Sequence, residues 1–238
     1  MVKVLEFGAV TREPDIRYAK DMASVILDQE WYEENKEAEL YYMYRDLWKK
    51  GDREKILNNK LRYDITIIPS RKIGKEHVKT KGHYHPESST GIRYPEIYEV
   101  LNGTAHYLLQ KKTSKGVEDV VLIEAEKGQK ALIPPDYGHI TINPSNKDLK
   151  MANWVNRDFE SIYGDMIDLE GGAYFELVTG EFIKNEKYDR VPEVRQIDPI
   201  EIPEFGITTG VDMYDLIKEP ENLEFLTNPK KYMSIFPF

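Results

Sequence analysis

Apolar and polar residues follow two different periods along this chain, and the change of period divides it. Beginning at Pro14-Asp15, the residues Ile16, Ala19, Met22, Ala23, Ile26 and Leu27 recur at helical spacing. A proline in the first turn and that spacing predict an amphipathic helix. The run from Glu37 to Lys50 fits two patterns. Leu40, Tyr44 and Leu47 would share one helical stripe, but Leu40-Tyr41-Tyr42-Met43-Tyr44 is rich in aromatics. Aromatic side chains suit a pleated surface, so a strand is expected there, followed by a loop or short helix. Residues 1–60 thus read as a mostly helical, tyrosine-rich segment packed on the remainder of the chain.

From residue 61 the period shortens. Strand-like runs are Tyr63 to Ile68, Glu76 to Thr80, Glu96 to Leu101, Thr104 to Gln110, Val117 to Glu124, Lys130 to Ile133, His139 to Asn143, Met151 to Val155 and Tyr174 to Val178. Short strands at even spacing predict a mainly β fold, a sandwich or barrel, over 61–183. Asn102-Gly103 reads as a hairpin turn. A loop, Pro86 to Pro95, separates two of the strands. Residues 184–238 are rich in Pro, Glu and Asp and read as an extended arm, a short helix near Met213 to Ile217, and an aromatic tail. No internal repeat is present.

Composition narrows the function. The chain has 238 residues, no cysteine, and a net charge of −9. Disulfides, thiol nucleophiles and thiolate metal sites are excluded. The acidic balance argues against nucleic acid as a partner, which needs a basic face. No apolar run approaches the roughly 20 residues of a membrane span, and the start of the chain does not read as a secretory signal. A cytoplasmic setting is expected.

Candidate chemistry concentrates in four residues. Of five histidines, His83 and His85 stand two apart in Gly-His-Tyr-His-Pro, and His139 follows the turn Pro134-Pro135-Asp136-Tyr137-Gly138. Side chains two apart in extended backbone share a face. Glu96 opens an apolar strand that would bury it, and a buried carboxylate needs a partner. Three imidazoles and a carboxylate suit a divalent transition metal with open positions for substrate. His77 and His106 fall outside this pattern and read as loop or packing histidines. Lys79, Lys81 and Arg93 are the basic residues nearest the ligands. Thr80 and Gly82 add a hydroxyl and an unobstructed N–H for an anion. Lys79 reads better as a solvated charge.

His83-x-His85, a loop, Glu96 and Gly103, then Gly128, Pro134, His139 and Asn143, resemble the two motifs of the cupin superfamily. Asp136 stands where that pattern usually has glycine. Within the superfamily, Thr80-Lys81-Gly82-His83-Tyr84-His85, Pro95 to Leu101 and Tyr107-Leu108-Leu109-Gln110 resemble the cupin-type glucose-6-phosphate isomerases over roughly residues 30–180. The resemblance implies a double-stranded β-helix (jelly-roll) barrel and interconversion of glucose 6-phosphate and fructose 6-phosphate in the cytoplasm. It also implies a homodimer and a divalent metal, typically Fe2+, with Mn2+, Ni2+ or Zn2+ accepted. Matched residue by residue, it gives His83, His85, Glu96 and His139 as metal ligands. Thr80 and Gly82, with Lys81 between them, match the phosphate loop. Tyr41 matches a substrate-contacting tyrosine, and Tyr98 one lining the barrel. Where shorter relatives carry a tyrosine and a histidine, this chain has Val155 and Ser161, with Trp154 and Tyr163 as candidate substitutes. The C-terminal arm has no counterpart in the short forms.

Isomerisation moves hydrogen between C1 and C2 of the open-chain sugar. Glu96 is the expected base, although a cation beside it weakens it, so a direct hydride shift stays open. Tyr98 shares the face of Glu96 and can hydrogen-bond the sugar. The alternatives are a cupin isomerase or epimerase for another phosphosugar, an oxygen-using cupin, a non-catalytic sugar-binding cupin, and a storage protein. The Thr-Lys-Gly loop opposes the oxygenase. Val155 and Ser161 favour the binding module.

Overall fold

Two six-stranded sheets enclose the principal core. The chain is seen in a computed structural model that describes residues 4–113, 116–158 and 160–238. One sheet runs, in spatial order, Lys130–Ile133, Glu96–Asn102, Leu149–Asn156, Leu61–Ile68, Glu39–Tyr44 and Asp15–Tyr18. The other runs Arg195–Ile197, Gly116–Glu126, Thr104–Thr113, Tyr137–Asn143, Glu76–Lys79 and Lys72–Ile73. Pairing is antiparallel except where Arg195–Ile197 joins Gly116–Glu126 in parallel. This is the mainly β barrel that the strand spacing predicts.

Strand alternation sorts the side chains. Tyr98, Val100, Ala105, Tyr107, Leu109 and Met151 point between the sheets. Ile97, Tyr63, Ile65, Ala152 and Trp154, on the opposite parity, face outward. They are nonetheless buried, because residues of the C-terminal arm cover them: Ile202, Ile207, Met213, Tyr214, Leu216 and Phe225. Burial on both faces explains why these strands read as near-continuous apolar runs. The Trp154 indole donates to the Met213 carbonyl at 2.9 Å. The rings of Tyr63 and Trp154 meet at 4.8 Å, and those of Tyr63 and Tyr214 at 4.9 Å.

Three expectations are corrected. Asp15–Tyr18 is an edge strand with Ile16 opposite Tyr42, not the start of a helix. The rest of that run is the 3-10 helix Ala19–Val25, whose buried residues Ala19, Met22 and Val25 are three apart. A spacing of three is the 3-10 period, and a short stretch cannot distinguish it from 3.6. Asn102-Gly103 makes no hairpin. Glu96–Asn102 and Thr104–Thr113 lie in different sheets, so the turn carries the chain across the barrel's edge. Gly103 has φ +83°, and a Cβ there would lie 2.9 Å from the Asp148 carbonyl. Finally, the last strand ends at Glu176, paired with Phe182–Lys184.

A buried ion pair ties the arm to the barrel. Lys130 Nζ donates to the carbonyls of Gly128, Thr208 and Val211 at 2.7, 2.7 and 2.6 Å and lies 3.4 Å from Glu99 Oε1. Glu99 Oε2 accepts from the Met213 N–H at 2.7 Å. Lys130→Met strands the Glu99 carboxylate and should cost about 3–5 kcal/mol in urea denaturation. Combining it with Glu99→Gln should recover most of that loss. Simple additivity of the two changes would show that the pair is not coupled.

Candidate metal centre and substrate pocket

Backbone pairing brings the four candidate ligands together. The strand Glu76–Lys79 ends three residues before Gly82, where φ is +78°. His83 then forms a bridge with His139: each N–H donates to the other's carbonyl, at 3.2 and 3.0 Å. A Cβ on Gly82 would lie 2.6 Å from Ile140, so the approach requires glycine. Extended backbone through Tyr84 turns His83 and His85 to one side, with ring centroids 5.1 Å apart. Tyr84 points the other way, into a separate cluster with Leu108 and Ile140. His139 follows the turn at Asp136, whose φ of +70° explains a glycine-like position. Aspartate tolerates this region better than most residues.

The ligand atoms of His83, His85, Glu96 and His139 all lie within 4.8 Å of one another. Glu96 Oε2 is 3.1 Å from His85 Nε2 and 3.7 Å from His139 Nε2. An ion bound at roughly 2.0–2.2 Å holds its ligands at comparable mutual distances, so the cradle fits a divalent metal. Protonation fits as well. Burial, reinforced by the other two histidines, holds His83 well below the usual imidazole range. Burial lowers His139 to about 4. For Glu96 burial acts upward, but the hydrogen bond and charge of His85, with His139, prevail and lower it. Burial thus favours neutral His83 and His139 beside an ionised Glu96, the state that binds metal.

Neighbouring groups aim the ligands. His85 Nδ1 is 2.7 Å from the Tyr94 carbonyl, which can only accept, so Nδ1 carries a proton and Nε2 is turned toward Glu96. Asn153 donates from Nδ2 to Glu96 Oε1 at 2.7 Å. Tyr98 Oη is 3.1 Å from His139 Nε2, and burial raises the phenol well above its usual range.

Tyr41, Thr80, Lys81 and Gly82 line the same pocket as His83, Glu96, Tyr98 and His139. The Lys81 N–H donates to the Tyr41 hydroxyl at 3.3 Å, and Thr80 Oγ1 accepts from the Thr141 N–H at 2.9 Å. Arg93 is not brought in. Its Nη1 donates to the His85 carbonyl at 2.6 Å and its Nε is 3.7 Å from Asp136, outside the pocket lining. It braces a ligand segment instead. Lys79 is not a solvated charge: it is buried against Glu76 and over the Phe175 ring. His106 is held by Glu176 at 2.9 Å, away from the cradle. Val155, Ser161 and Tyr163 line the pocket, whereas Trp154 faces the arm. The sequence reading missed Asn153, Arg45, Arg62 and Asp64, which also line it. Their parity was legible: Asn153 shares a face with Met151 and Val155. Which strand lies opposite was not.

The family model for glucose-6-phosphate isomerase (GPI) matches residues 16–193. A glucose-6-phosphate isomerase of Thermococcus gammatolerans is 32% identical over 153 residues, covering 63% of this chain and 74% of the relative. One of Thermococcus litoralis is 32% identical over 158 residues, 64% of this chain and 75% of the relative. Among solved structures, an oxalate oxidase in complex with the substrate analogue glycolate overlaps at a TM-score of 0.36. It is 14% identical over 45% of this chain and 47% of that one.

Two expectations arise from this geometry. Asn153→Ala frees Glu96 Oε1 and should weaken metal binding about 10–100-fold, measured by competition with a chromophoric chelator. The metal-free protein should lose stability in acid. A histidine neutral in the fold to about pH 4 but protonating near 6.5 when unfolded contributes fully above pH 6.5. That contribution is lost as pH falls to 4, up to about 3 kcal/mol. The lowered Glu96 acts in the same direction. A flat denaturation midpoint between pH 7 and 4 would contradict the neutral-imidazole set.

Proposed function

Because the chain belongs to the glucose-6-phosphate isomerase family, we propose that it interconverts glucose 6-phosphate and fructose 6-phosphate in the pocket above His83, His85, Glu96 and His139. The observation that carries this reading is convergence. Three of the cradle's ligands, His83, Glu96 and His139, line one pocket with Thr80, Lys81, Gly82, Tyr41 and Tyr98, from segments spread over nearly a hundred residues of sequence. A sugar phosphate has two ends to hold, and the pocket offers a different chemistry for each.

The reaction is an aldose–ketose isomerisation. His83, His85, His139 and Glu96 are the residues to hold a divalent ion, Fe2+ by family resemblance. When bound, such an ion would supply carbonyl polarisation and countercharge for an oxyanion. Tyr98, kept protonated by burial, is a neutral hydrogen-bond donor toward the sugar oxygens. Thr80, Lys81, Gly82 and Tyr41 take the phosphoryl group, with the Gly82 N–H, two hydroxyls and one ammonium as donors. In this reading Glu96 takes a proton from one carbon and returns it to the other.

One observation favours a second route for that hydrogen. Glu96 Oε1 is occupied by Asn153 and Oε2 faces two imidazoles, and its basicity is lowered. A carboxylate so engaged is a weak base, which favours direct hydride transfer between C1 and C2. Turnover in D2O separates the two. Deuterium at C2 of product glucose 6-phosphate supports Glu96 as the proton carrier, and its absence supports the hydride shift.

The further attributes follow the same family reading: a homodimer acting in the cytoplasm. Among the described residues no helix is long and apolar enough to cross a membrane. A sedimentation mass of two chains supports the dimer, and a mass of one removes it.

A coupled assay for glucose 6-phosphate formed from fructose 6-phosphate tests the activity. Chelation should abolish it, and added Fe2+ or Mn2+ should restore it. His139→Ala should abolish both metal retention and turnover. A metal-loaded protein that binds sugar phosphate without turnover would instead favour the binding module that Val155 and Ser161 suggest.

A further inference from the structure

The cations around the pocket divide by whether a carboxylate neutralises them. Arg62 Nε is 2.8 Å from Asp64 Oδ2, and Arg45 lies 3.7 Å from Asp64 and 3.1 Å from Asp15. Asp64 is itself buried, so these two arginines are already neutralised. Lys81 and Arg17 differ: neither makes an ion pair among the described residues. Asp21 attracts both electrostatically, but its Oδ2 already accepts from the Tyr18 N–H at 2.9 Å.

Arg17 and Lys81 are held close to one another by shared aromatic partners. Arg17 sits opposite Tyr41 in the sheet. Its guanidinium carbon is 6.0 Å from the centroid of the Tyr163 ring, and Lys81 Nζ is 5.3 Å from the same ring. Both rings line the pocket together with Lys81, and Arg17, outside the lining, borders it through those rings. Two like charges gathered without an ion pair are costly, and ring faces compensate only part of that cost. Arg17 Nε is moreover buried with no hydrogen-bond partner. Such an atom calls for an explanation, and a dianion supplies one. Guanidinium presents a planar fork that matches phosphate, whereas ammonium is a point charge.

We propose that Arg17 sets the preference of this pocket for phosphorylated over unphosphorylated sugars, forming with Lys81 a two-cation site for the phosphoryl dianion. The proposal rests on the phosphosugar reading of the pocket. Tyr41 and Tyr163 hold the guanidinium ready, so little side-chain entropy is lost on binding. The role is one of binding: Arg17 does not touch the carbons that react.

The test is calorimetric titration of the metal-loaded protein with sorbitol 6-phosphate, which cannot isomerise, and with inorganic phosphate. Arg17→Gln should weaken both at least about tenfold, and Arg17→Lys should fall between it and the wild type. KM for fructose 6-phosphate should rise by a similar factor, with kcat within about twofold, as expected when uniform binding is lost. Unchanged affinity for sorbitol 6-phosphate in Arg17→Gln would overturn the proposal. So would a fall in kcat at constant KM. If Arg17→Gln does not fold, Arg17→Lys decides: wild-type affinity for both probes would reject the fork. Wild-type protein that binds the probes through Arg17 but turns over no fructose 6-phosphate would sink the isomerase reading and leave Arg17 standing. Turnover with Arg17-independent binding would do the reverse.

Discussion

Three imidazoles and a carboxylate share one small buried space because two backbone segments exchange hydrogen bonds at His83 and His139. Everything chemical in the pocket depends on that bridge. It fixes the distance between ligands that lie 56 residues apart, the difference between positions 83 and 139. It also requires Gly82, whose missing Cβ admits Ile140. Burial then sets the protonation states. By raising the cost of charge it keeps His83 and His139 neutral, while the neighbouring imidazoles keep Glu96 ionised. A cradle of this kind is unfavourable by itself, with a buried anion and clustered lone pairs, and a cation removes that cost.

The barrel can present such a site because its sheets are covered from outside. The arm packs Met213, Tyr214 and Phe225 over Tyr63 and Trp154, and the buried Glu99–Lys130 pair anchors it. Outward parity is thereby given to packing, and inward parity is left for chemistry. In the strand Leu149–Asn156, Ala152 and Trp154 pack against the arm side while Asn153 and Val155 line the pocket. The two ends of the pocket have opposite demands. The metal centre collects nitrogen donors around one carboxylate, whereas Lys81 in the lining and Arg17 beside it make no ion pair among the described residues. A sugar phosphate joins those two environments.

Much of the metal cradle was legible because its signals are local. The His-x-His pair, the carboxylate opening an apolar strand and the histidine after a tight turn each follow from backbone periodicity. The errors came from non-local effects. Asn102-Gly103 has the chemistry of a hairpin turn, but the next strand pairs in the other sheet. Arg93 stands close to the ligands in sequence yet directs its donors to the His85 carbonyl and Asp136. Lys79 looks like a surface charge, but its strand is buried beside Glu76.

The sequence by itself determined the barrel strands, the ligand types and the turn residues, since each depends on spacing within a few residues. Only the tertiary structure decided which groups surround the ligands. Asn153 reaches Glu96 through a strand pairing, and Arg17 meets the Tyr163 ring, between segments far apart in the chain. Pairing partners are selected by the total burial of the sheets, a property of the whole fold that no short window of sequence contains.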